Sequence, residues 1–331
     1  MHRQPSIQRG FSLVELMIAM ALGLAMIAAV ATLSLEATRS YRSMNQASQQ
    51  IENGRYALTV LKGELEHAGF WGVFSPWAAG LSLPETASDP CNPSPQNLAT
   101  HFLLPIAGHA CSTYLADMVK ENSVLAIQRA DTAITAPSDV KAGNTYLQTS
   151  PHEYMIGTGC KYAASIVSCV NSASNKSGVE NALSLTKPDG SQADLRQYHV
   201  HIYYIRSWSS QAGDGIPTLM RKSPPDSDSN VQAIVEGIEN MQLLYGLDQN
   251  GDGSPDSYGT APAQNDITSW SNVVAVRLSL LVRSLEPDPN YTDAKSYLLG
   301  SQTIPAQNDH YHRRVFSQVV RLVNVSARRE Q

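Results

Sequence analysis

Two stretches of this chain place acidic side chains where their spacing could do chemistry. The first is Gly10-Phe11-Ser12-Leu13-Val14-Glu15. A cut between Gly10 and Phe11 leaves a new amine on Phe11 within about one helical turn of the Glu15 carboxylate, close enough for an ion pair within the chain or with a neighbouring copy. The second is Asp248-Gln249-Asn250-Gly251-Asp252-Gly253-Ser254-Pro255-Asp256. Alternation puts the oxygens of Asp248, Asn250 and Asp252 on one side, Gly253 permits a sharp turn, and Ser254 (through its carbonyl) and Asp256 extend the donor set. This is the first half of a calcium loop. The twelfth position is Gly259 instead of a bidentate glutamate, so calcium, the one cofactor expected, binds more weakly here than in sensor loops. Three carboxylates so close together repel unless a cation sits among them. The competing reading is a solvated turn, for which Asp, Asn and Gly are ordinary residues.

Four cysteines, Cys91, Cys111, Cys160 and Cys169, allow three pairings. Short loops cost least to close, which favours Cys91 with Cys111 and Cys160 with Cys169. Two His-x-His pairs, His199/His201 and His310/His312, lack an obvious third ligand and read as strand-surface histidines. Arg313-Arg314 and Arg328-Arg329 read as solvated strand ends. No Gly-x-Ser-x-Gly, phosphate-binding glycine loop or His-Glu-x-x-His occurs, so nothing recommends an enzyme.

The elements that must position these residues begin with Leu16–Leu35, twenty residues without a charge. As a helix they reach about 30 Å, the hydrocarbon thickness of a bilayer. Arg3 and Arg9 hold the leading end in the cytoplasm, and the body then lies outside, where cysteines oxidise. The processing mark at Gly10 precedes the apolar run, so cutting there retains the membrane helix. The helical pattern continues to about Ala68 through Ile51, Leu58, Leu61 and Leu65, with Gly69 as a stop and Gly23, Asn53-Gly54 and Gly63 as points of bending. Hence 1–10 is a leader, 11–35 a membrane or bundle helix, 36–69 its amphipathic continuation, and 70–331 a β-rich body.

Within that body Trp71–Ser112 is Pro-rich and reads as a long loop, as does Ser165–Gly190. Val124–Arg129 and Tyr198–Trp208 read as strands, with Pro217–Arg221 a hairpin partner of the latter. Met241, Leu243, Tyr245 and Leu247 alternate, as do Val274 to Val282, and predict an antiparallel pair. A short helix from Asn230 to about Gly237 and a last strand, Val315–Val325, complete an α+β architecture of a long helix on an antiparallel sheet. The net charge of −5, about −7 once Arg3 and Arg9 leave with the leader, argues against a nucleic-acid surface.

Gly10-Phe11-Ser12-Leu13-Val14-Glu15-Leu16-Met17-Ile18 resembles the class III leader of type IV pilins and pseudopilins. The resemblance implies cleavage after Gly10 by a prepilin peptidase, methylation of the Phe11 amine, and a docking role for Glu15 in a growing filament. Leu61–Phe70, Tyr245-Gly246-Leu247-Asp248 and Val319–Asn324 further resemble PilW-type minor pilins. That implies a minor pilin stored in the inner membrane with its body in the periplasm, then moved into an extracellular pilus, near its tip. The implied partners are other minor pilins, the major pilin, a tip adhesin, the peptidase and the inner-membrane assembly platform. A type II secretion pseudopilin is the nearest alternative, and a signal-anchored periplasmic calcium-binding protein the alternative of another class.

Overall fold

The structure is a computed structural model that describes residues 10, 12–76, 104–108, 115, 117–119, 122–174, 182–223, 231–263 and 265–329. It forms two compact units, Met1–Gln49 and Gln50–Gln331.

The first unit is helical. Helix α1 (Leu13–His67) runs 55 residues without a break, and its stretch in the first unit is rich in Leu, Ala and Met, all strong helix formers. Thr32 and Thr38 return their hydroxyl hydrogens to the carbonyls of Ala29 and Ser34, at 2.8 and 2.9 Å, so even the polar groups are satisfied within the helix. The apolar side chains have no such internal answer, and from Leu13 to Leu35 every residue but the half-buried Gly23 is exposed. The segment is long and apolar enough to cross a membrane.

In the second unit the helix changes character. Gln50, Gly54, Ala57, Leu58, Leu61 and Leu65 are buried, a three-and-four spacing that forms one face. The glycine at 54 marks a close approach. A Cβ there would stand 2.6 Å from the Phe316 ring. Asn53, its neighbour, donates to the Glu236 carbonyl at 3.1 Å, and Gln50 donates to the carbonyls of Val282 (2.7 Å) and His312 (2.8 Å). Past His67 the chain turns at Gly69 with φ +72°, a left-handed conformation that suits glycine. Asn324 donates to the carbonyls of Glu66 and Ala68, satisfying groups that a helix end leaves open.

Among the described residues the strands are, in chain order, β1 (Ile106–Ala107), β2 (Leu125–Ala130), β3 (Tyr146–Thr149), β4 (Tyr154–Thr158), β5 (Lys161–Ala163), β6 (Ile166–Ser168), β7 (Asn171–Ser174), β8 (Asp194–Arg206), β9 (Thr218–Lys222), β10 (Val231–Glu236), β11 (Ile238–Leu247), β12 (Ser257–Gly259), β13 (Val273–Arg283), β14 (Tyr297–Leu299), β15 (Gln302–Ile304) and β16 (Arg313–Arg321). All pairings are antiparallel. The larger sheet has the order β1-β2-β8-β3-β4-β7, with β9 joining β8 and β10 joining β9. Its spine is β8, which pairs successively with β3, β2 and β9 along its length. The second sheet has the order β12-β11-β13-β16.

Odd and even residues of β8 serve different layers. Tyr203 and Ile205 join Leu61, Leu65, Met241, Val276 and Leu278 in the core that α1 covers. Tyr198, Val200, Ile202 and Tyr204 meet Trp71 and Phe74 on the opposite face. A third cluster gathers Tyr146, Met155, Val167, Leu183 and Leu195 around Cys160 and Cys169.

Three sequence expectations need correction. Residues 231–236 form β10 and no helix, because their backbone groups pair with β9 and the chain passes directly into β11 at Gly237, φ +79°, where a Cβ would lie 2.7 Å from the Arg283 carbonyl oxygen. Val-x-x-Ile-Val spacing fits either state, and sheet pairing decides. The last strand stops at Arg321, and Val323–Ser326 turns into a short helix. Within 165–190, expected to be loop, β6 and β7 pair with β5 and β4. The antiparallel pair expected from alternation is β11 with β13, Leu243 opposite Leu278 and Tyr245 opposite Val276.

Candidate functional site

Of the processing and assembly residues, Gly10 is exposed, Phe11 lies outside the described residues, and Glu15 stands exposed in the first turn of α1. There the open amides of a helix start favour a carboxylate. Cys160 and Cys169 are bonded to each other, closing the β5–β6 hairpin. Its turn residues, Ala164 and Ser165, both have positive φ. Cys91 and Cys111 lie outside the described residues.

The acidic loop between β11 and β12 is organised around Asp248, which is 1% exposed. Its two oxygens accept from the amides of Gly251 (2.6 Å) and Gly253 (2.9 Å), and Arg329 donates to Oδ2 at 3.1 Å. Burial alone would raise this carboxyl, but the two amides and the guanidinium hold it below the usual carboxylate range. Asp252 accepts from the Ser254 amide at 2.7 Å and Asp256 from the Gln249 amide at 2.7 Å. Asn250 links Asp252 and Asp256 through its side-chain amide, 3.2 Å to each. The repulsion anticipated from sequence is thus relieved by backbone donors and one arginine. Among the described residues no group of three or more His, Cys, Asp or Glu side chains could hold a metal, and a calcium ion would have to displace Arg329 and loop amides from Asp248. Arg329 is therefore no solvated end: it also donates to Ser271 O and Asn272 Oδ1, at 2.8 and 2.7 Å.

Arg313 departs further from the solvated reading. Its side chain is 1% exposed and donates to Glu239 twice (2.5 and 2.8 Å), to Asp309 twice (2.6 and 2.7 Å), and to Asp293 at 3.0 Å. A register shift between Ile238 and Asn240 in β11 falls at Glu239, the kind of bulge that re-aims a side chain. Asp293 is fully buried and also accepts from the hydroxyls of Tyr291 and Tyr297. Burial pushes its carboxyl up, but Arg313 and the two tyrosines outweigh that and leave it low. The cluster pins the excursion 284–312, with its β14–β15 hairpin, to the four-stranded sheet. His310 and His312 belong to this excursion: His310 meets the Tyr291 carbonyl, and His312 meets Asp288 at 3.3 Å and stacks on Tyr291.

The other His-x-His pair is not at the strand surface either. Odd residues of β8 face α1, so His201 is buried and meets Glu64 at 2.8 Å, while His199 meets Asp131 at 3.1 Å. Arg129 bridges the two carboxylates, 3.4 Å from Glu64 and 3.1 Å from Asp131. Burial raises Glu64, but His201 and Arg129 outweigh it and bring its pKa to about 2. A helix-face Glu64 and alternating histidines are visible in the sequence; that they meet is set by the β2–β8 register, in which Arg129 lies opposite His199. Both clusters are sets of ion pairs that join elements.

Residues 202–324 match the model of a family described as type IV pilus-assembly protein W, and residues 5–31 match the prokaryotic N-terminal methylation motif. No curated protein matches the chain. Among solved structures, a type IV-like pilin from Thermus thermophilus aligns at 12% identity and a TM-score of 0.37, over 86% of this chain and 97% of that one.

Proposed function

We propose that this chain is a PilW-type type IV pilin, a reading that the matches of residues 202–324 and 5–31 support, and that it acts as a minor pilin that helps initiate a pilus and sits near its tip. The observation that carries the reading is the Gly10-Phe11…Glu15 motif at the head of a helix whose apolar residues to Leu35 are exposed. Such a surface needs lipid or other helices around it, because leaving it in water forfeits about 25 cal/mol for each Å² of apolar area. The helix is held in the inner membrane, is cut after Gly10, and passes into a filament bundle where neighbours replace lipid and Glu15 neutralises a Phe11 amine. The major pilin, other minor pilins, a tip adhesin, the prepilin peptidase and the assembly platform are the partners in this reading. The match of residues 202–324 supports a pilus over a type II secretion pseudopilin. In the same reading the Asp248–Asp256 loop takes calcium weakly. Mass spectrometry of the mature amino terminus tests the central claim: a chain beginning at methylated Phe11 is expected, and an intact Met1 or a cut beyond Leu35 ends it.

A further inference from the structure

β16 closes one edge of the four-stranded sheet, and among the described residues its strand partner is β13. The phase of pairing follows from the bonds just beyond its ends. The Leu322 amide donates to Val274 O, and the Ser284 amide donates to His312 O. Bonded and non-bonded rungs alternate in an antiparallel ladder, so even-numbered residues of β16 bond to β13 while Val315, Ser317 and Val319 turn their amides and carbonyls toward the open side.

This edge lacks two of the usual protections, a bulge and a proline, and keeps a third, charged side chains. Its nine pairs with β13 run without a register shift, and it contains no proline. The other edges of the two larger sheets differ: β1 has two residues, β12 three and β7 four, and β10 is interrupted by a bulge between Ala233 and Val235. Ser317 is exposed, and Val319 is 49% exposed. Charge then says what fits. Arg314 and Arg321 are exposed toward the two ends, Arg277 is exposed opposite Val319, and β16 holds no acidic residue. Antiparallel pairing of β16 with a second copy would bring arginine-bearing ends together, and like charges across a ladder are destabilising.

We propose that β16 is a docking edge that accepts an extended segment of a different protein, with alternating β-branched residues between carboxylates at its ends. The proposal deepens the pilus reading, since it names the contact by which another subunit's body joins this one, and it rests on that reading only for the partner's place in the filament.

The test uses the full chain in detergent and two labelled synthetic peptides, Glu-(Thr-Val)3-Glu and Lys-(Thr-Val)3-Lys. Fluorescence anisotropy is expected to show the glutamate-ended peptide bound at least tenfold more tightly. Its binding is expected to slow hydrogen exchange at the Val315, Ser317 and Val319 amides at least tenfold. Val319→Pro removes one outward amide and leaves the bonds to β13, so it is expected to cut affinity tenfold with an unchanged melting temperature. Arg314→Glu, which keeps the backbone intact, is expected to erase the preference between peptides. Equal binding of both peptides would overturn the proposal. So would slow exchange at those three amides before any peptide is added, which means the chain covers its own edge, or self-association lost on Val319→Pro, which means a second copy does. Cleavage after Gly10, read by mass on the same preparation, reports on the pilus reading independently.

Discussion

Along helix α1, Leu13, Met17, Leu24, Ile27 and Leu33 are each more than 60% exposed, whereas Leu61 and Leu65 are fully buried. The backbone is the same helix in both stretches, but the side chains are answered differently. Residues 50–67 find their partners in their own sheets, down to Gln50 on two carbonyls and Gly54 under Phe316. Among the described residues, 13–35 are exposed but for the half-buried Gly23. One stretch is a structural part of the body, and the other is long and apolar enough to cross a membrane and, in the proposed function, meets lipid and then other helices.

The change that should break this contrast most completely is at Glu15. If the exposed stretch is an assembly interface, Glu15→Ala leaves a chain that inserts in the membrane but is lost from sheared pili, by tenfold or more on immunoblots. Undiminished incorporation would remove the pairing role. Exposed carboxylates in a lipid-facing helix are costly, so the same variant is expected to remain at least as abundant in the membrane fraction.

Two glycines offer a paired test of the contrast. Gly54→Val drives a side chain into the Phe316 ring, where a Cβ alone already stands 2.6 Å away. Overpacking of this kind costs about 1–3 kcal/mol, and the added branch places it toward the upper end. Gly23→Val meets nothing within 4 Å, so the melting temperature of the body is expected to stay put. Equal losses in calorimetry for both variants would mean that the two stretches are not energetically distinct.

Much of this division was legible in the sequence. The uncharged run, the glycine-phenylalanine-glutamate spacing, and the alternation of Met241–Leu247 against Val274–Val282 each carry their own period. The Gly54 contact has no signal in the sequence, because a helical glycine looks alike whether it loosens the backbone or admits a ring from 262 residues away. Arg313 and His201 were misread for a related reason. A charged or titratable residue in an alternating strand tells which face it takes only once the register is known, and their carboxylate partners, Glu239, Asp293 and Glu64, come from distant segments.

Glu64 sharpens the account of the buried stretch, since it ties α1 to β2 and β8 through Arg129 and His201. Its pKa near 2 lies below the ordinary 4.5. A depressed carboxylate stabilises the fold fully above the unfolded value, and that contribution falls away as pH drops from about 4.5 toward 2. Its size is at most about 3 kcal/mol. Thermal melts of the parent chain and Glu64→Gln should therefore differ most at neutral pH and converge as pH approaches 2. A gap that persists unchanged at pH 2 would show that the charge at Glu64 is not what holds the helix there.

The smallest effect concerns the Asp248–Asp256 loop. Here the sequence argument and the hydrogen bonds pull in different directions. Mutual repulsion of three carboxylates calls for a cation, yet Asp248 is already answered by two amides and Arg329. The exposed pair, Asp252 and Asp256, shares only the Asn250 side chain between them, so any calcium that binds must be held mainly from the outer side of the loop. A weak site filled to ten times its dissociation constant adds about 1.4 kcal/mol, which for a unit of this size raises the melting temperature by about 3 °C. The parent chain is expected to show that rise in calcium against chelator, and Asp252→Ala to lose it. If the parent melts identically in both, the loop is complete as its amides and Arg329 leave it, and Asp248 serves to fasten the β11–β12 turn to the end of the chain.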